Sequence, residues 1–119
     1  MRYLSLILLF IASCQSEHLN VELEPKIYLG KVKYGEPVDF RVKCKNNGEK
    51  DVILDEVNVS CSCIRIIEKN PSKIQAHDSC TFYFQLLPEG IGYIERSLEL
   101  HFKEFTESHR VLVSAHVEN

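Results

Sequence analysis

Residues 38–45 alternate apolar and charged side chains without a fault: Val38, Phe40, Val42 and Cys44 on one parity, Asp39, Arg41, Lys43 and Lys45 on the other. Successive side chains of a strand point to opposite faces, whereas a helix would scatter this set around its axis. The stretch can therefore bury one face only as an extended chain, with Cys44 predicted to point inward.

The same design recurs along the chain. Ile27 to Val32, Val52 to Val59, Ile64 to Ile67, Cys80 to Leu87, Tyr93 to Phe102 and His109 to Val117 all have strand composition. Turn signals stand between them: Tyr34-Gly35-Glu36-Pro37, residues 46–51, Asn70-Pro71-Ser72, Pro88 to Gly92, and the polar loop from Lys103 to Ser108. Asn47 and Gly48 accept positive φ cheaply, so residues 46–51 are expected to join two antiparallel strands. Asp55 and Glu56 interrupt the alternation of their run, the mark of a bulge or of a strand passing between sheets. No window carries a helical period of useful length. About seven short strands at roughly ten-residue spacing predict an all-β fold, an antiparallel β-sandwich. With 119 residues, 45% hydrophobic and 26% charged, the chain can build one core.

Val57, Val59, Cys61 and Cys63 continue one parity, which places two thiols on one side of an extended chain. Such a pair suits a disulfide, a redox couple or a soft metal. Extended residues two apart lie about 6.6–6.8 Å from each other at Cα, the far edge of disulfide range, so a Cys61–Cys63 bond needs a bend. Cys44 ends one alternating strand and Cys80 begins another, so antiparallel neighbours would set them side by side. There they either form a bond closing a loop of about 37 residues or pack as small buried thiols. Cys61 and Cys63 supply two metal ligands, and His77 is a third only if its loop folds back. Cu(I), which accepts two thiolates, is the metal these residues fit first.

The N-terminus belongs outside the fold. Arg2 precedes a nearly unbroken apolar run from Leu4 to Ala12, too short for a bilayer span and suited to a signal peptide over residues 1–13. Ile11-Ala12-Ser13-Cys14 resembles the bacterial lipobox, which implies acylation of Cys14 and a membrane anchor of about 0.8 kcal/mol per buried methylene. Residues 14–25 read as an acidic tether with room for a short strand, and residues 26–119 as the domain. Export makes disulfides admissible for the remaining four cysteines. Gln15 in place of Asp after the cysteine resembles lipoproteins sent to an outer membrane, facing the periplasm.

Asn46-Asn47-Gly48, then Ser60-Cys61-Ser62-Cys63, then an Ile74-containing loop before an aromatic strand resemble the bacterial family called domain of unknown function 1573. That resemblance implies an Ig-like sandwich similar to abnormal-spindle/SPD-2/hydin domains. The family pattern typically reads Asn-x-Gly, Ser-Cys-Gly-Cys-Thr and Ile-x-Pro-Gly. This chain has Ser62 for Gly, Ile64 for Thr and Ala76-His77 for Pro-Gly, with Cys44 and Cys80 outside the shared motif.

A net charge of −3 with scattered Lys and Arg excludes a nucleic-acid partner. No nucleophile–base–orienter set, phosphate loop or paired carboxylate motif occurs, so no catalytic residue and no cofactor are expected. The expected function is a membrane-anchored, non-enzymatic envelope lipoprotein whose Ig-like module binds or spaces a protein partner. The alternative is a thiol-redox or copper-binding role at Cys61 and Cys63.

Overall fold

In the computed structural model, which describes residues 19–67 and 72–119, nine strands form two sheets. They are β1 (Val21–Leu23), β2 (Lys26–Lys33), β3 (Val38–Asn46), β4 (Val52–Val59), β5 (Ile64–Ile66), β6 (Lys73–Ile74), β7 (Ser79–Leu86), β8 (Gly92–Phe102) and β9 (His109–Glu118). One sheet has the order β1-β3-β7-β5, the other β2-β9-β8-β4-β6. Of the two strands beyond the expected seven, β1 lies where the tether had room for a short strand, and β6 spans only two residues, too few for an alternation to show. The signal sequence, Cys14 and Asn70-Pro71 lie outside the described residues. Val21–Leu23, inside the stretch read as a tether, pairs with β3.

The inward parity of β3 is the predicted one. Phe40, Val42 and Cys44 face Phe84, Phe82 and Cys80 across the β3–β7 ladder, and the rings of Phe40 and Phe84 stack at 5.5 Å. Leu98, Leu100, Phe102, Val111, Val113 and Ala115 of the second sheet are fully buried against them. Each large side chain so buried contributes about 1.5–3 kcal/mol, which is why the alternation decides the fold.

One pair departs from the antiparallel rule: β2 runs parallel to β9, with Ile27 opposite Val113. Pro25, lacking an N–H, ends β1 at the edge of one sheet, and its carbonyl accepts from Leu112 N–H (2.8 Å) at the edge of the other. One nearly continuous N-terminal run thus serves both sheets.

Residues 46–51 also differ from their reading. They link β3 and β4, which belong to different sheets, and neither Asn47 nor Gly48 takes positive φ. The turn is built instead on the fully buried Asn46 side chain. Its amide donates to the carbonyls of Lys50 (2.8 Å) and Ile74 (3.1 Å), and its oxygen accepts from Gly48 N–H (2.9 Å). A buried amide satisfied this fully ties both loops at that end of the sandwich.

Candidate functional site: the Cys61–Cys63 corner

β4 ends in the five-stranded sheet at Val59, and β5 begins in the four-stranded sheet at Ile64. Residues 60–63 carry the chain across. Ser60 N–H still bonds to Ser97 carbonyl (2.9 Å), but the Ser60 hydroxyl, rather than a further backbone carbonyl, accepts from Ser97 N–H (2.9 Å). Ser60 therefore completes the ladder of β8 where the backbone leaves it. Ile64 N–H then closes a turn on Cys61 carbonyl (3.2 Å), and Leu87 N–H fixes Cys63 carbonyl (2.8 Å) to the end of β7.

This turn supplies the bend that an extended chain lacks. The Cα atoms of Cys61 and Cys63 are 5.1 Å apart and their sulfurs are bonded. The shared face expected for Val57, Val59, Cys61 and Cys63 stops at the turn: Val59 is 39% exposed, Cys61 half-buried and Cys63 only 5% exposed. Cys63 N–H donates to Cys61 Sγ at 3.0 Å. Ser62 has no positive φ, so the glycine of the family pattern is not required at that position.

Pro37, Ser62, Cys63, Arg65, Gln85 and Leu87 line a recess of about 170 Å³ beside the buried sulfur. Arg65 donates through Nε and Nη2 to Gln85 Oε1 (3.1 and 2.8 Å), and Gln85 Nε2 donates to Asp39 Oδ1 (2.9 Å). The guanidinium is thereby held at this end of the sandwich.

Both sheets present a strand edge here. β6 pairs with β4 at Val52 and Ile53, and Leu54 N–H still bonds to Ser72 carbonyl (2.6 Å), so among the described residues no strand lies along the outer side of residues 55–59. The bulge signalled by Asp55 and Glu56 appears as a register shift between Leu54 and Glu56. Ser60 N–H points into the ladder, and amides alternate sides along a strand, so those of Val57 and Val59 point to the open edge. β5 is the terminal strand of its own sheet.

Cys44 and Cys80 occupy the other end of β3–β7. They are opposite each other in register, and both thiols are free. Asn46 N–H bonds to Asp78 carbonyl (2.9 Å), which makes Cys44 and Cys80 a hydrogen-bonded pair, two residues further along the ladder. Such a pair holds its Cβ atoms roughly 5.5 Å apart, beyond the ~4.5 Å a disulfide spans. Burial pushes the Cys44 thiol up to about 12, helped by Cys80, and burial with the nearby Asp78 charge pushes Cys80 up to about 11. Both line a surface hollow of about 550 Å³ with Glu22, Glu24, Lys43 and Lys45.

His77 is not brought to the cysteine corner. It stands in the loop before β7, with Nε2 3.3 Å from Glu49 Oε2 and φ of 63°. That is a left-handed conformation, which the Gly that the family pattern has at this position would adopt without strain. Among the described residues no three His, Cys, Asp or Glu side chains converge as metal ligands.

Asn46 and Ser60 are the site-shaping residues whose roles sequence reasoning missed. Both stand inside the motifs noted above, but a motif does not say which neighbour's N–H or carbonyl its side chain meets.

Comparison with known proteins agrees with this fold. The sequence profile of the family described as "Protein of unknown function (DUF1573)" matches residues 20–117. No curated protein matches the chain. A protein of unknown function from Porphyromonas gingivalis W83 is similar at 17% identity and a TM-score of 0.70, over 82% of this chain and 46% of that one. The secreted serine protease VesC from Vibrio cholerae is similar at 16% identity and 0.68, over 91% of this chain and 24% of that one. The ASH/PapD-like domain 7 of human CEP192 is similar at 18% identity and 0.58, over 83% and 85%. The chain spans less than half the length of the first two, and likenesses at these identities establish the Ig-like sandwich alone.

Proposed function

We propose, from the premise that the chain belongs to the DUF1573 family, that it is a membrane-anchored lipoprotein of the bacterial envelope whose sandwich binds or spaces an envelope protein. Acylated Cys14 is the anchor, and the outer membrane, on its periplasmic side, is the site. The observation that carries the binding half is the open edge of β4 running into the Cys61–Cys63 corner. An extended segment can add to such an edge through the outward amides of Val57 and Val59, as in β-strand addition.

The anchor is tested with Cys14→Ala, which should move the protein from the membrane to the soluble fraction; continued acylation would refute it. The edge is tested with a photo-crosslinking residue at Asn58 in intact cells and a second variant, Val59→Pro. Proline at 59 removes an outward N–H and leaves the β8 ladder intact. One reproducible adduct at Asn58, lost with Val59→Pro, is expected. An adduct indifferent to that change would refute docking at this edge.

A second reading, thiol exchange, is favoured by the Cys61–Cys63 bond itself, whose first cysteine is only partly buried. While the sulfurs are joined they offer no thiolate to a metal, so this reading stands ahead of copper binding.

A further inference from the structure

We infer that the two sulfurs of the corner have fixed and unequal roles in exchange with a dithiol: Cys61 is attacked and carries the mixed disulfide, and Cys63 leaves and returns. The inference rests on the thiol-exchange reading above and adds to it the order of events.

Access decides which sulfur is attacked. A thiolate must approach along the S–S axis from the side away from the leaving sulfur. Cys63 packs into the core at 5% exposure and meets solvent only through the narrow recess beside it, whereas Cys61 is the less buried of the two. Charge decides what happens next. Cys63 departs beside a recess that it shares with Arg65, whose guanidinium is fixed by Gln85. A cation at that place favours the departing thiolate. When Cys61 is released in turn, Cys63 N–H at 3.0 Å is already directed at its sulfur.

One thiolate of the dithiol attacks Cys61 Sγ; a bond forms between them, the Cys61–Cys63 bond breaks, and Cys63 keeps the electron pair and takes up a proton. The second thiol of the dithiol, as thiolate, then attacks its partner's sulfur in the mixed disulfide. That step closes the dithiol into a disulfide and expels Cys61 as a thiolate, which is then protonated. Two electrons and two protons pass from the dithiol to the cysteine pair, and the reverse reaction uses the same two steps with Cys63 as the resolving thiol. Cys44 and Cys80 take no part. They sit at the far end of β7, roughly 20 Å away at the rise of a strand.

The test uses the full chain, reduced and freed of reductant, with glutathione disulfide as the probe. Cys63→Ser should acquire glutathione at Cys61, located by peptide mapping, at least tenfold faster than Cys61→Ser acquires it at Cys63. Equal rates, or a faster Cys63, would overturn the assigned roles while leaving thiol exchange in place. No reaction at either sulfur would overturn the exchange reading, and this inference with it. A measurement without substitutions guards against misfolded variants: limiting iodoacetamide on the reduced wild-type chain at pH 8 should label Cys61 at least tenfold ahead of Cys63. The opposite order overturns the assignment.

Discussion

The two ends of the β3–β7 ladder each hold a pair of cysteines, and the pairs are opposites. At one end Cys44 and Cys80 are brought together by register across two strands, yet the hydrogen-bonded pairing keeps their sulfurs apart and burial keeps them protonated. At the other, Cys61 and Cys63 are neighbours in sequence, kept apart by an extended chain and joined only because the chain bends from one sheet to the other. Proximity in the fold therefore does not settle what a cysteine pair does. Backbone geometry between the two residues does.

The comparison makes the Cys44 end a structural anchor, and the largest expected effect lies there. Asn46→Ala should cost about 3 kcal/mol, because it leaves the Gly48 N–H and the carbonyls of Lys50 and Ile74 without their partner. Urea unfolding measures it, and a loss under 1 kcal/mol would break the claim that this side chain builds the turn. Cys44→Ser should cost about 2 kcal/mol, since a hydroxyl replaces a thiol at a site 1% exposed. Reducing the Cys61–Cys63 bond should cost only about 1.5 kcal/mol, because a loop of so few residues removes little entropy from the unfolded chain. A larger loss on reduction than on Cys44→Ser would reverse the contrast.

Ionisation sharpens the contrast further. Both free thiols have folded pKa values raised above the ordinary 9.0, so the folded state holds their protons more tightly than the unfolded state does. Their contribution is complete below about pH 9 and is lost as pH rises toward 11 and then 12. Thermal unfolding of the oxidised chain should therefore show falling stability across that window, and the fall should shrink in Cys44→Ala. The bonded corner has no thiol to titrate and adds nothing to this slope. The smallest effect concerns His77, whose φ of 63° a glycine adopts freely. His77→Gly should stabilise the fold by about 1 kcal/mol, and the exposed contact with Glu49 that it removes is worth little.

Alternation and strand composition made the seven expected strands legible, because parity such as that along Val38 to Asn46 translates directly into burial. The facing of Cys44 and Cys80 was also legible, since one residue ends its run and the other begins its own. Sheet membership was not. Asn47-Gly48 reads as a hairpin turn, but the buried Asn46 amide lets the same residues cross between sheets. The corner was half legible: spacing showed that Cys61–Cys63 needs a bend, while the bend itself depends on Ser97 and Leu87, far away in sequence. His77 is a conditional third ligand in the sequence because histidine chemistry is visible there, and a left-handed backbone is not.

The direct test of the contrast between the two ends is the cysteine state of the native, unreduced chain. Free thiols are blocked under denaturing conditions, the remaining bonds are then reduced and labelled, and the peptides are mapped. Cys61 and Cys63 should carry the second label and Cys44 and Cys80 the first. A bond between Cys44 and Cys80, or free thiols at Cys61 and Cys63, would contradict the account.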